Sequence, residues 1–333
     1  MRPRLAADGF NSPDHLFELK WDGIRALISF DAGGLRIVDR NGGDLLPAVP
    51  ELRTLQLPEG TMLDGEIIAC DSRGRPSYDL LVGLALRAQG PLPLGPKALK
   101  GGRGPLFVAF DLLYDEGKPL LGLRLEERRR RLLGRGLAQK GLVVPEHLEN
   151  DGEPFLDVVA EYELEGVVAK RRDGKYVPGT RSADWLKCLV SPRADVVIGG
   201  LVVDERGARA LLCGWANDAG GLTFAGEAYV PPYLAAWLDG ATRDFRTDGS
   251  PFAGPFSLRP GMVWLRPRLV AIVDHEGLEG SELVDARFRA LRFDGRMDDC
   301  RAEEPVAVPE NPPTGGPERP RLVVLHSLPF RFD

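Results

Sequence analysis

Residues 17–25 read Phe-Glu-Leu-Lys-Trp-Asp-Gly-Ile-Arg. Lys20 follows a strand-like stretch, and Trp21-Asp22-Gly23 has the composition of a tight turn. That arrangement holds one amine at the mouth of a sheet. An amine is a poor nucleophile at its ordinary pKa of about 10.4. Desolvation or neighbouring cations make it useful by disfavouring the protonated form. Taken alone, K-x-D-G-x-R is equally an exposed lysine beside a β-turn.

Downstream, residues 25–30 and 35–39 flank Asp31-Ala-Gly-Gly34 and predict a hairpin. A longer strand is expected at 61–70, where Asp64 and Glu66 stand among apolar residues. A helix is expected at 77–88, a loop at 90–105 and a buried strand at 106–114 that carries Phe110. The helix expected at 125–133 carries the arginine run 128–131, read as a solvated face. A short helix at 157–163 feeds a strand at 166–171, which has Glu165 before it and Lys170 near its end. Buried acids are costly unless paired or bound to a cation, and hard carboxylate oxygens suit Mg²⁺. Trp185-Leu-Lys187 adds a second aromatic–lysine pair.

Near Ser191-Pro-Arg193 the pattern changes to short strands at 194–203, 208–215, 222–224 and 262–273, with one helix at 231–238. This is the sequence pattern of a small β-barrel. From Cys300 a Pro-rich segment is expected to be extended and mobile, with apolar residues at 321–333 able to dock back onto a domain.

Composition bounds these readings. A chain of 333 residues accommodates two domains, and 43% apolar with 28% charged residues is ordinary for a soluble protein. The net charge of −6 argues mildly against a large non-specific nucleic-acid surface. Cys70, Cys188, Cys213 and Cys300 form no C-x-x-C pair, and the four histidines lack metal-ligand spacing. No signal-peptide plan or membrane-length apolar run is visible, so a cytoplasmic protein is expected.

In order, the chain presents K-x-D-G-x-R, D-G-E (64–66), F-D-L-L-Y (110–114), E-G-V-V-A-K (165–170) and W-L-K (185–187), followed by barrel-like strands. That order resembles the covalent nucleotidyltransferases, and within them the ATP-dependent DNA ligases of bacterial end joining and repair. The resemblance covers residues 15–300 or so, with its specific motifs between 17 and 190. It implies an α+β chain. A nucleotidyltransferase (adenylation) domain with antiparallel sheets spans 1–190, an all-β OB-fold domain 191–300 and a Pro-rich C-terminal tail 301–333.

The resemblance further implies that Lys20 becomes covalently adenylylated by ATP. Glu18 would sit at the adenine edge, Arg25 at the ribose and DNA phosphate, and Arg40 near the nick 5′-phosphate. Phe110 would stack on adenine, and Glu66 and Glu165 would hold the ribose and a Mg²⁺ (or Mn²⁺) ion. Lys170 and Lys187 would neutralise the α-phosphate, and Arg292 and Asp294 would belong to the OB-domain motif that assists pyrophosphate departure. The implied partner is nicked or broken duplex DNA, with an end-binding protein or repair polymerase beside it. The implied setting is a monomer in the bacterial cytosol or nucleoid, away from membranes.

Three positions depart from that pattern. Leu189 stands where many relatives carry a second lysine, a charge that Lys175 or Arg193 could replace. The barrel's R-x-D-K signature reads Arg292-Phe-Asp-Gly295, with Arg296 one position late, which predicts weak self-adenylylation. Asp39 precedes Arg40 where a small hydroxyl is usual. No helical DNA-binding segment precedes the first motif, so weak, salt-dependent DNA affinity is expected, to which the loop at 97–103 could add a phosphate contact. The alternatives are an RNA ligase or guanylyltransferase using the same lysine chemistry, and a non-catalytic DNA-end-binding module.

Overall fold

The structure is a computed structural model that describes residues 1–78, 80–81, 103–254, 256–257, 259–292 and 294–309. Residues 97–102 of the loop given a phosphate contact, most of the helix at 77–88, Phe293 and the tail beyond 309 lie outside the described residues, and a strand begins at Arg103, inside the loop expected at 90–105. Two compact units divide the chain: Met1–Val190 together with the segment from Glu304, and Ser191–Glu303.

The first unit holds two sheets. One has the order β1-β11-β10-β2-β9, built from β1 (Arg2–Leu5), β2 (Ser12–Leu19), β9 (Leu148–Asn150), β10 (Gly166–Arg171) and β11 (Arg181–Leu189). The other runs β4-β3-β5-β6-β7, with β8 beside β6. Its strands are β3 (Ile24–Asp31), β4 (Gly34–Asp39), β5 (Thr61–Cys70), β6 (Arg103–Asp115), β7 (Lys118–Pro119) and β8 (Leu142–Val143). The β3–β4 hairpin closes at the Asp31↔Gly34 pair. The sheets are not purely antiparallel, because β1 joins β11 and β8 joins β6 in parallel.

Strand parity positions everything that follows. In the first sheet, Phe17, Leu19, Val167, Ala169, Leu186 and Cys188 point into one core, where Phe155 and Val159 of α2 (Gly152–Glu161) cover them. The side chains between them face the other way. Helix α2 starts earlier than the expected 157–163. Asn11 fixes its first turn, accepting from the Glu153 N–H at 3.0 Å and donating to Glu153 Oε2 at 2.7 Å.

Helix α1 (Leu125–Gly134) corrects the reading of its arginines. Arg128 and Arg129 are buried, not solvated. They share one stripe with Leu125 and Leu132, at the i, i+3, i+4, i+7 spacing of a core-facing helix.

In the second unit, β12 (Arg193–Asp204), β13 (Gly207–Ala216), β14 (Leu222–Tyr229), β17 (Val270–Asp274) and β20 (Ala286–Leu291) form a closed ring. Neighbours run β12-β13-β14-β20-β17 and back to β12, with β14 parallel to β20; β16 (Met262–Leu265) pairs with β12 and with β15 (Arg246–Thr247), and β18 (Gly277–Glu279) pairs with β19 (Glu282–Val284). Val196, Ile198, Leu211, Cys213, Ala228, Ala271, Val273 and Phe288 are among the residues of its core. Helix α3 (Pro232–Thr242) packs on β13, Leu238 reaching that core. The segment after Cys300, expected to be a mobile tail, is tied down at its start. Val306 donates to the Leu5 carbonyl and accepts from Ala7, within the first unit.

Candidate active site

Three motif glycines are fixed by packing. A Cβ on Gly23 would stand 2.2 Å from the Ile67 carbonyl oxygen, and one on Gly65 2.3 Å from the Phe107 ring. Gly166 has φ +156° and would place a Cβ 2.2 Å from the Cys188 carbonyl oxygen. The turn after Lys20 therefore lies flat on β5, and the Lys20 N–H donates to Gly166 O at 2.8 Å. The amine is thereby held over the start of β10. Its Nζ is 2.7 Å from Glu165 Oε1, with the lysine side chain 23% exposed. The amine is paired yet reachable from solvent.

Register assembles the floor of the site. Val168 lies between Glu18 and Lys187, and Lys170 lies between Leu16 and Trp185. Glu18, Lys170, Trp185 and Lys187 thus share the face opposite the core. Lys170 Nζ donates to Glu18 Oε2 at 2.7 Å, both groups almost fully buried. It sits 4.3 Å from the Phe110 ring centroid and 4.4 Å from that of Trp185, a cation between two aromatic faces. Burial pushes the Glu18 carboxyl up, but Lys170 and Arg129 beside it outweigh this and hold it below the usual carboxylate range. Burial pulls the Lys170 ammonium below the ordinary lysine range despite Glu18.

The second sheet supplies the facing wall. Arg25 and Glu66 are cross-strand neighbours on β3 and β5. Arg25 grips the buried Asp64 through two bonds of 3.0 and 2.6 Å and lies 5.4 Å from both the Phe110 and Trp185 rings. Tyr176 donates to Asp64 Oδ2 at 2.9 Å, and burial and Asp64 raise its phenol above the ordinary range. Phe110 meets Trp185 edge-on at 6.1 Å.

The acid of F-D-L-L-Y, Asp111, faces inward to Arg128, with two bonds of 2.8 Å and neither group exposed. Arg128 also donates to the carbonyls of Leu123 and Gly174. Arg129 donates to Pro145 O at 2.6 Å, and its Nε is 3.4 Å from Glu18 Oε1.

The structure thus brings together Glu18, Arg25, Phe110, Lys170 and Trp185, and it pairs Lys20 with Glu165. The Lys170 ammonium is enclosed by Glu18 and two rings. Lys187 remains half-buried on the same face as Trp185. Leu189 shares that parity and brings no charge to it. Arg193 belongs to the other unit, where its Nε bonds Asp274 at 2.9 Å, and Lys175 is exposed. Arg40 follows β4, one residue beyond the Ala26↔Asp39 pair and level with Arg25. Asp39 is turned into its own loop, accepting from the N–H groups of Asn41 and Gly43 at 2.7 and 2.8 Å.

Arg292 bonds Asp195 at 2.8 Å and lies 3.7 Å from the buried Asp294, all within the second unit. A Cβ on Gly295 would stand 2.5 Å from Val270, so this turn has no room for a lysine in its present form. Asp64, Asp111, Arg128 and Arg129 are the working residues that motif reading left without a role. Among the described residues no group of three or more His, Cys, Asp or Glu side chains is arranged to hold a metal ion, and no helix is long and apolar enough to cross a membrane.

Comparison with known proteins gives the family. The family described as ATP dependent DNA ligase domain matches residues 4–188. The multifunctional non-homologous end joining DNA repair protein LigD of Mycobacterium tuberculosis is 35% identical over 312 residues, 88% of this chain and 39% of that protein. The chain therefore spans about two fifths of the length of such relatives. DNA ligase C1 of Mycolicibacterium smegmatis is 30% identical, with 88% of each chain covered. A solved structure of mycobacterial DNA ligase D, complexed with ATP and MES, matches with a TM-score of 0.61 and 34% identity over 91% of this chain and 98% of that one. By the family match across its first unit and by these relatives, the chain belongs to the ATP-dependent DNA ligases.

Proposed function

We propose that this chain seals 5′-phosphate/3′-hydroxyl nicks in duplex DNA through a covalent Lys20–AMP intermediate, in end joining or repair. The observation that carries the reading is Lys20, 23% exposed and paired with Glu165, two residues along the chain from Glu18 in the cluster of Glu18, Lys170, Phe110 and Trp185. A lone surface lysine has no use for such a cluster.

In the first step the Lys20 Nζ lone pair attacks the α-phosphorus of ATP. The bond to the bridging oxygen breaks, and pyrophosphate leaves with that electron pair. Attack requires the amine to lose its proton to solvent and to part from Glu165, 2.7 Å from Nζ. Phosphoryl transfer rests on positioning and charge neutralisation. Arg25 and Lys187 are the cations for the phosphate, while Lys170 serves the base end of the pocket beside Glu18. The AMP then passes from nitrogen to a DNA 5′-phosphate, and a 3′-hydroxyl attacks that phosphate and expels AMP.

Glu66 and Glu165 are the residues that would hold Mg²⁺. Two hard carboxylates, with no group of three or more such ligands among the described residues, suit an ion bound mainly by phosphates and water. Such an ion supplies neutralisation of the departing pyrophosphate.

The second unit's closed five-strand ring, with β14 parallel to β20 and a helix after the third strand, supports reading it as an OB-fold that binds duplex DNA. The first unit is then the adenylation domain. Nicked duplex DNA is the substrate this reading requires, with an end-binding protein or repair polymerase as partner.

The test incubates the chain with α-labelled ATP or GTP and Mg²⁺, beside Lys20→Ala, and follows label into protein and then nicked DNA. ATP-specific, Lys20-dependent label that chases into sealed DNA is expected. Folded protein free of bound AMP that takes no label would overturn the reading, and label that chases only into RNA would replace DNA as the substrate.

A further inference from the structure

Glu18 is served from behind by two residues that none of the motifs contains. Its Oε2 takes the Lys170 ammonium, but Oε1 receives no hydrogen bond among the described residues although the side chain is buried. Arg129 Nε lies 3.4 Å from Oε1 without the alignment of a hydrogen bond, and it has no other hydrogen-bond partner among the described residues.

The third member is His147. In the β2–β9 ladder Leu16 pairs with Glu149 and Phe17 with Leu148. The next step of that antiparallel register sets His147 opposite Glu18 on the same face. Its Nδ1 is buried and likewise without a hydrogen-bond partner among the described residues. The same short segment gives its Pro145 carbonyl to Arg129 Nη2 at 2.6 Å.

Three buried polar atoms at one carboxylate each forgo a hydrogen bond, which is costly in a desolvated site. Native structures keep such groups where a ligand or an ordered water completes them. The pocket offers an acceptor held by donors. Adenine presents an amine donor beside a ring-nitrogen acceptor on its purine edge, and guanine presents an acceptor oxygen in place of the amine. A carboxylate fixed here takes the amine and repels the oxygen.

We propose that Arg129 and His147 are positioning residues for Glu18, and that together they set the selectivity of the site for adenine over guanine nucleotides. This rests on reading the pocket as the nucleotide site of a ligase. Arg129 spans from the Phe110 carbonyl at 3.4 Å to Pro145, so it ties the carboxylate to the strand bearing the stacking ring. His147 closes the side facing β9. Burial, then the neighbouring Arg129, pulls its imidazole below the ordinary histidine range, so at neutral pH it adds no second positive charge to draw Glu18 away from the base.

The experiment measures kcat and KM for covalent labelling of the full chain by ATP and by GTP, with wild type, Glu18→Gln, Arg129→Lys, His147→Ala and His147→Gln. Unfolding midpoints are recorded in parallel. His147→Ala and Arg129→Lys are expected to lower the ATP-over-GTP ratio of kcat/KM about tenfold, the weight of one ordinary hydrogen bond. The loss should fall on KM for ATP, with kcat at saturation little changed. Glu18→Gln, whose amide can donate to a guanine oxygen, should shift the ratio further.

An unchanged ratio in folded His147→Ala, with Glu18→Gln altered, overturns the positioning role while leaving Glu18 at the base. An unchanged ratio in Glu18→Gln as well overturns the placement of the base. Absence of any label in wild type overturns the nucleotide site itself. If Arg129→Lys does not fold, the two His147 variants decide the matter.

Discussion

Replacing Arg128 by methionine leaves Asp111 as an uncompensated charge at a site with no exposure. Breaking a buried ion pair on one side costs about 3–5 kcal/mol. Here the upper half of that range is expected, because the carbonyls of Leu123 and Gly174 lose their donor as well. At a urea slope of roughly 2–3 kcal/mol/M, the midpoint of the first unit should fall by about 1.5 M. Changing both partners, Asp111→Leu with Arg128→Met, removes the stranded charge and should recover most of the loss, since apolar replacement of a whole buried pair is often near neutral. The assay is urea unfolding followed by tryptophan fluorescence, run as a double-mutant cycle, with Trp21 and Trp185 reporting on this unit. A single-variant loss under about 1 kcal/mol, or a double variant as unstable as the single, would refute the view that this pair pins β6 and its Phe110.

Gly23→Ala should lower both the stability of the first unit and covalent labelling, although every charged residue remains. The new Cβ meets the backbone oxygen of Ile67 at 2.2 Å and cannot be relieved by a rotamer change. Wild-type labelling and an unchanged midpoint would show that the turn does not need this close approach.

Acidification should destabilise the chain from about pH 7 downward. Burial pulls His15, His147 and His275 below the ordinary histidine range. In the window below that range the unfolded chain binds more protons than the folded one, so stability rises with pH and is lost as pH falls. The urea midpoint of wild type and His147→Gln across that window checks this. The variant should show a shallower loss for the first unit, and a flat or rising wild-type midpoint on acidification counts against it.

What the sequence made legible were the features carried by local order. Lys20, Glu66, Glu165 and the strands around them could be read because a tight turn and period-two apolar spacing are properties of neighbouring residues. The Arg128–Arg129 misreading came from weighing charge above position. Both occupy the same stripe as Leu125 and Leu132, and an arginine on a core-facing stripe signals a buried acid elsewhere. That acid, Asp111, was visible in F-D-L-L-Y but looked like a strand residue. His147 was illegible for another reason: it faces Glu18 only through the β2–β9 register, and β9 is too short to announce itself. The start of α2 was missed because Asn11, 142 residues earlier in the chain, holds its first turn.

The net charge of −6 argued mildly against polyanion binding, but that is a statement about the whole surface. The site works on a shorter scale. Glu18, Asp64 and Asp111 are buried, and each holds at least one cation: Lys170 and Arg129, Arg25, and Arg128. Burying acids first allows four cations to be packed within one low-dielectric region without mutual repulsion. Each of these cations is fixed in direction by hydrogen bonds or aromatic faces. A flexible surface lysine must instead be ordered on binding, at a cost in side-chain entropy. An acidic protein can thus hold a preorganised cluster of cations, and its buried acids are the reason the cluster is preorganised.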